Sequence, residues 1–427
     1  MIWRQRRRDG VTAVVLGRWG VLAILCLTRT LMGLHLQAVA AVAPFLMADL
    51  NLSYGEIGTL IGIFLLPGVV LAIPGGLVSR RFGDARTLTC AVVLLACGTA
   101  LLTVSTGFWS AAAARLVSGA GGTLLTMQVA KIATDWFAGR ALSTAIGLLL
   151  GTFPLGIAAV MAGLPLVAAV SSWRVAVAVI VGVALAVLVV VAALLRDAPT
   201  AAASTAGPHI STRQSGQPSS RWWNLSGHEA GLMVVSGLIF SVVNAGLVIF
   251  TSFAPAWLRA GGLDTVQASL LASWTSWVMI AALPLAGPLL DRTGRVTLWL
   301  VGTALAAAAV CVALPLSGPG AGPGAGLAGG SAFVWIVLFG VLMGPLAVGS
   351  MALPGTVLRP ESRSIGLGLF FTMNYIGFGV LPAAAGFLID ATGTAAAPFW
   401  FDAVAFLSVV PLALLFHVLQ RRAVTSV

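Results

Sequence analysis

Arg29 and Arg115 each stand well inside a long apolar stretch, and a guanidinium in such surroundings is suited above all to binding an oxyanion. Arg29 follows Trp19 by ten residues, about 15 Å of helix, which puts it near the middle of an apolar layer about 30 Å thick. Arg115 enters its own stretch by roughly 9 Å. An arginine at such depth costs at least about 2.5–3.5 kcal/mol, so each requires a partner or a wet cavity. The acids do not supply one at depth. Asp9, Asp49, Glu56, Asp84, Asp135, Asp197, Glu229, Asp264, Asp291, Glu361, Asp390 and Asp402 all fall in loops or near the ends of apolar stretches. Two deep cations without a deep carboxylate leave a net positive cavity. A small anion neutralises it, and the planar arginine fork matches a carboxylate or similar group.

Other polar residues could share that cavity. His35 lies roughly 9 Å beyond Arg29 and about 120° around the same helix. It is either a proton relay, since imidazole titrates near neutrality, or a histidine held by an ordinary hydrogen bond. Asn244, Asn374 and Tyr375 are polar groups at mid-depth that either orient a solute or bond helix to helix. Trp274 and Trp277 form an aromatic wall or serve as packing and interface anchors. Arg115 also has a structural reading, in which it bonds backbone carbonyls of a broken helix or reaches the outer surface. Arg115, Gly119, Gly122 and Thr126 share one helix face within about 40°, a small polar stripe that fits a cavity wall or a close helix contact. No nucleotide loop, metal-ligand cluster or nucleophile triad is present, so no enzyme, cofactor, catalytic or metal site is expected. Cys26, Cys90, Cys97 and Cys311 lie in apolar runs without metal or redox spacing.

The elements that must hold these residues are membrane helices. Hydrophobic residues make up 59% of the chain and charged ones 8%, against about 25% charge in a soluble domain. Twelve apolar runs are long enough to span, at 19–47, 55–79, 86–106, 109–134, 141–169 and 173–195, then 230–258, 266–290, 296–316, 332–357, 365–389 and 399–419. Alternating barrel patterning is absent, so the class is an all-α membrane protein with twelve transmembrane helices in two six-helix bundles. The expected organisation is a basic N-terminal segment 1–18, a bundle over 19–195, a linker over 196–228, a bundle over 229–420 and a tail over 421–427. Of 23 lysines and arginines, Arg29 and Arg115 lie inside spans and only Arg174 and Arg259 fall on one side. The rest fall on the other, which by the positive-inside rule is the cytoplasm and holds both termini. The charge is explained by topology and the lipid bilayer, without nucleic acid.

Two short basic loops repeat about half a chain apart. Gly76-Gly-Leu-Val-Ser-Arg80-Arg81-Phe-Gly83 joins the second and third runs, and Gly287-Pro-Leu-Leu-Asp291-Arg292-Thr-Gly294-Arg295 joins the eighth and ninth. A duplicated six-helix unit is the plan of many secondary transporters. The second loop resembles the Gly-x-Leu-x-Asp-Arg-x-Gly-Arg motif of the major facilitator superfamily. The first is similar, although Arg80 stands where that family has its aspartate. The resemblance implies that these loops act as cytoplasmic gates, with a latch at Asp291 and a departure from it at Arg80. Arg115-Leu-Val-Ser-Gly119-Ala-Gly121 resembles a pattern of the family's fourth helix. Gly147-x-x-x-Gly151-x-x-Pro154-x-Gly156 resembles the fifth-helix pattern of its exporters, whose physical content is close helix packing and a bend at Pro154. Arg29 with the Arg-Arg-Phe-Gly loop resembles the cyanate-porter-like branch.

The expectation is therefore a single-chain transporter of a small anion, working by alternating access at a midplane site led by Arg29, with protons as the candidate coupling ion. Competing expectations are a proton-coupled multidrug exporter and a transport-inactive receptor on the same fold. The arginine-, alanine- and glycine-rich composition points to a bacterial inner membrane.

Overall fold

A span surrounded by lipid must satisfy its own backbone N–H and C=O groups, and helices do this within one segment. The computed structural model describes residues 17–71, 82–137, 141–195, 225–318, 330–359 and 362–425, and its regular structure there is helical throughout. The helices are α1 (Arg18–Ala41), α2 (Ala43–Leu50), α3 (Tyr54–Ile63), α4 (Pro67–Leu71), α5 (Asp84–Thr103), α6 (Phe108–Phe137), α7 (Leu142–Val170) and α8 (Trp173–Leu194). Then come α9 (Gly227–Ala260), α10 (Thr265–Thr293), α11 (Val296–Leu316), α12 (Ser331–Ala352), α13 (Arg363–Thr392) and α14 (Ala397–Thr425).

Eleven spans among the described residues are long and apolar enough to cross a membrane. The twelfth, α6, is long enough at 30 residues, but it is more polar because it carries Arg115 and Lys131. The first two expected spans are each broken. The first bends at Val42, where Pro44 in the first turn of α2 cannot donate to the preceding turn. The second is interrupted between Ile63 and Pro67. Helix starts follow from capping chemistry: Ser53 with Glu56 and Ser226 with Glu229 form reciprocal capping boxes, and Asp264 caps α10.

Packing repeats between the halves. α1 lies on α7 as α9 lies on α13, and α5 lies on α6 and α8 as α11 lies on α12 and α14. The halves meet along two crossed pairs, α3 against α13 and α7 against α10. Small residues allow the first of these. A Cβ at Gly58 would strike the carbonyl oxygen of Pro382, one at Gly62 that of Gly379, and one at Gly386 that of Tyr54. Large apolar side chains such as Trp109, Val170, Leu285 and Val404 point outward, as a lipid-facing surface requires.

The fifth-helix glycines divide. Gly156 lies against the Thr30 carbonyl of α1, two residues from Pro154 inside α7, and Gly119 lies against the backbone of Phe64. Gly151 approaches only the Ile280 carbonyl, at 3.9 Å, and Gly147 meets nothing within 4 Å. The close packing expected at Gly147 is therefore not found: its position on α7 faces open space.

Candidate functional site

Side chains from four helices meet around Arg29. Its Nη1 donates to Thr126 Oγ1 of α6 at 3.1 Å, and the Thr126 hydroxyl donates in turn to the Gly122 carbonyl at 2.9 Å. The guanidinium carbon lies 5.2 Å from the centre of the Phe153 ring on α7, a cation–π placement. From the other half, the Tyr375 phenol of α13 lies within electrostatic range of the same group. The approach of α1 to α7 is set by Gly33 and Gly156, since a Cβ at Gly33 would strike the Phe153 carbonyl. Arg29 is half-buried, and no carboxylate bonds it among the described residues.

Arg115 is arranged differently. Nε donates to the Leu60 carbonyl at 2.9 Å, Nη1 to that of His35 at 2.7 Å and Nη2 to that of Leu36 at 2.9 Å. The Phe64 ring lies 4.4 Å from its guanidinium carbon, and the residue is 1% exposed. Leu60 sits in the last turn of α3, where helix carbonyls run out of their own donors. Arg115 thus ties the interrupted second span to α1, and every nitrogen of its guanidinium is engaged by backbone. This geometry corrects the expectation of a solute contact at Arg115. His35 is wholly buried, with Nδ1 on the Leu31 carbonyl at 2.8 Å and Nε2 without a partner, so in this arrangement it touches no open path.

In the second half, Asn244 Nδ2 donates to Asn374 Oδ1 at 3.2 Å and to the Phe240 carbonyl at 2.8 Å, joining α9 to α13. Asn244 is half-buried and Asn374 buried. Tyr375 packs its ring over Gly68 of α4, where any Cβ would collide with it. Trp274 and Trp277 are exposed on α10, and Trp274 meets Phe333 edge-on, so neither walls the Arg29 site.

Two sets of side-chain hydrogen bonds between the halves were not legible in the sequence, and among the described residues both lie at one end. This far end, remote from Arg18 and from α14's C-terminus, holds the connections near Tyr54, Leu263 and Gly393. Gln37 Nε2 of α1 donates to Thr251 Oγ1 at 3.0 Å and Ser252 Oγ at 2.8 Å of α9. The backbone N–H groups of Tyr54 and Gly55 donate to the Asp390 carboxylate at 3.0 and 2.7 Å, so α13 caps the N-terminus of α3. At the near end, two ion-paired clusters among the described residues each lie within one half. Lys131 meets Asp84 at 2.6 Å, while Arg359 and Ser362 hold Glu229 at 2.9 Å. Gly76, Arg80 and Arg81 lie outside the described residues. Gly83 opens α5 with φ 86° and Gly294 closes α10 with φ 62°, left-handed values that suit glycine. Gly287 has open space around it. Asp291, Arg292 and Arg295 are exposed and form no latch among the described residues.

One acid departs from expectation. Asp402, five residues from the start of α14, is 0% exposed, and neither carboxylate oxygen has a hydrogen-bond partner. A position near a helix end was read as a position near water, but neighbouring helices cover it completely.

The Major Facilitator Superfamily profile matches residues 25–323 and, again, 235–426. The inward open conformation of the xylose transporter XylE from E. coli superposes with a TM-score of 0.71 at 14% identity, covering 93% of this chain and 95% of that one. A hexuronate transporter of Bacillus subtilis is 28% identical over 155 residues, a match that spans 36% of this chain and only 37% of that protein. The plastidic glucose transporter 4 of Arabidopsis thaliana is 24% identical over 395 residues, 83% of this chain and 70% of that protein.

Proposed function

The chain belongs to the Major Facilitator Superfamily, and from that premise we propose that it carries a small carboxylate-bearing solute of sugar-acid type across the membrane by alternating access. One observation carries the reading: Arg29 is a half-buried guanidinium held by a threonine hydroxyl and the Phe153 ring, with no carboxylate bonded to it among the described residues. A solute carboxylate is the missing counter-charge, and the arginine fork receives it in two parallel bonds. The Asn244–Asn374 pair and Tyr375 offer donors and acceptors suited to ring hydroxyls. A sugar acid joins those two chemistries. The names of the relatives point the same way, since one carries hexuronates and others carry neutral sugars.

The clustering of cross-half bonds supports a state closed at the far end, taken here as the outer face of a bacterial inner membrane with both termini in the cytoplasm. Closure at one end only is what alternating access requires of each of its two states. Release of the Gln37 and Asp390 contacts, with near-end closure through the basic loops at Gly83 and Asp291, completes the cycle. A single chain supplies all the groups named.

Uptake into proteoliposomes of labelled D-glucuronate and D-xylose tests the reading. The expected result is saturable glucuronate uptake, competed by galacturonate and not by xylose. Xylose uptake that uronates do not compete, or transport of lipophilic cations alone, overturns it.

A further inference from the structure

Asp402 has no part in the site described above, yet an intramembrane acid without a partner calls for a role. It lies on α14, facing α9 at Gly246: a Cβ there would sit 3.0 Å from Asp402 Oδ1 and would strike the edge of the Phe406 ring. Phe250 of α9 stacks on Phe339 of α12 with ring centres 3.9 Å apart, and Phe399 and Phe406 of α14 close on this pair edge-on. The carboxyl therefore stands in an apolar pocket of aromatic rings. Among the described residues its one titratable neighbour is the buried Cys311 of α11, which lies within its field. The other ionisable groups on the helices packed around it lie elsewhere: His228, Glu229 and Arg259 near the ends of α9, Arg363 and Asp390 at the ends of α13, His417 and Arg421 towards the end of α14, and Tyr375 at the Arg29 site. The residues Ser331–Ala352 of α12 include no ionisable side chain.

An ionised carboxylate here would be a buried charge with no counter-charge and no donor, several kcal/mol above the neutral acid. The segment of α9 that covers it is also the one that serves the transport path. Asn244 is two residues before Gly246, and Thr251 and Ser252, which bond Gln37 across the halves, follow within two turns. We propose that Asp402 is a proton-binding site that governs the far-end gate: with its proton bound, α9 seats against α14 and the Gln37 contacts form. When the proton leaves to water at the far face, the carboxylate demands hydration. α9 then lifts from α14, and the far end opens. The coupling rests on the two-state cycle proposed above but not on any solute.

The test is amide hydrogen exchange in purified full-length protein over segments 37–62 and 379–390, comparing wild type with Asp402→Asn at the same pH. Intrinsic pH effects on exchange cancel in that comparison. Asp402→Leu serves as a second neutral variant in case the amide is poorly tolerated. At acid pH the three proteins are expected to exchange alike. Towards about pH 8.5 wild type is expected to exchange at least severalfold faster in these segments while both variants stay protected. Variants that follow wild type at every pH, or a constant offset without pH dependence, overturn the proposal. Because no solute is present, failure here is distinguishable from failure of the carboxylate reading.

Discussion

Arg29 and Arg115 look alike in the sequence: two cations in apolar helices of the same half, with no acid nearby. The structure separates them. Arg115 is fully buried, and its three nitrogens bond three backbone carbonyls, which joins α6 to α1 and to the last turn of α3. Arg29 is half-buried, has one hydroxyl partner, and lies within reach of a side chain from the opposite half. What distinguishes a structural cation from a binding cation is thus the supply of acceptors rather than depth. At Arg115 the end of α3 supplies the Leu60 carbonyl and α1 supplies two more, which satisfies the guanidinium; at Arg29 a single hydroxyl leaves the rest to be satisfied by something else.

The largest expected effect follows from that contrast. Arg115→Met leaves the Leu60 carbonyl without its donor and breaks the bonds to the His35 and Leu36 carbonyls, and should lower the stability of purified protein by roughly 2–4 kcal/mol, seen as a fallen melting midpoint. Arg29→Met should leave the midpoint almost unchanged, and an equal loss in both would erase the distinction. Next in size, Arg29→Gln should weaken uronate binding by about tenfold or more, as loss of a charge-assisted pair implies, measured by calorimetry.

A third effect bears on the far end. Asp390→Asn keeps a weaker cap on α3, worth about 1 kcal/mol less, and should shift the balance towards the far-end-open state roughly fivefold. Distance measurements between spin labels on the two halves would register it. Smallest is the Asp49 contact, also at the far end. The Trp173 indole, at 3.0 Å, and Arg174 both donate to the Asp49 carboxylate and hold its pKa below the ordinary value. A depressed carboxylate stabilises the fold above its unfolded pKa of about 3.9 and loses that contribution as pH falls through the folded value. Asp49→Asn should therefore melt slightly lower than wild type at neutral pH, and the gap should close in acid.

Much of the fold was legible because apolar run length and the duplicated loop are local signals. Ten of the twelve spans fall within about six residues of the observed helices; the first is broken at Val42, and the second is broken after Ile63 and ends outside the described residues. Pro44 and Pro67 could have marked those breaks. The site was legible only in part. Arg29 and Tyr375 could each be named, but their convergence depends on α1 and α13 coming together from opposite halves. The Asp390 cap on Tyr54 and Gly55 joins residues more than 300 positions apart, and no local pattern announces it. Asp402 was misread because distance from a helix end says nothing about which neighbours cover it. The same holds for Gly147 and Gly156, which share a motif while only one meets a helix.

The central claim is that Arg29 is the counter-charge for a solute carboxylate. Its most direct test is the shift in melting midpoint produced by D-glucuronate, and by glucose as its uncharged counterpart, on wild type and on Arg29→Gln. The account predicts stabilisation of wild type by glucuronate alone, and none of the variant by either sugar. Equal stabilisation of both proteins by glucuronate, or stabilisation of wild type by glucose alone, would contradict it.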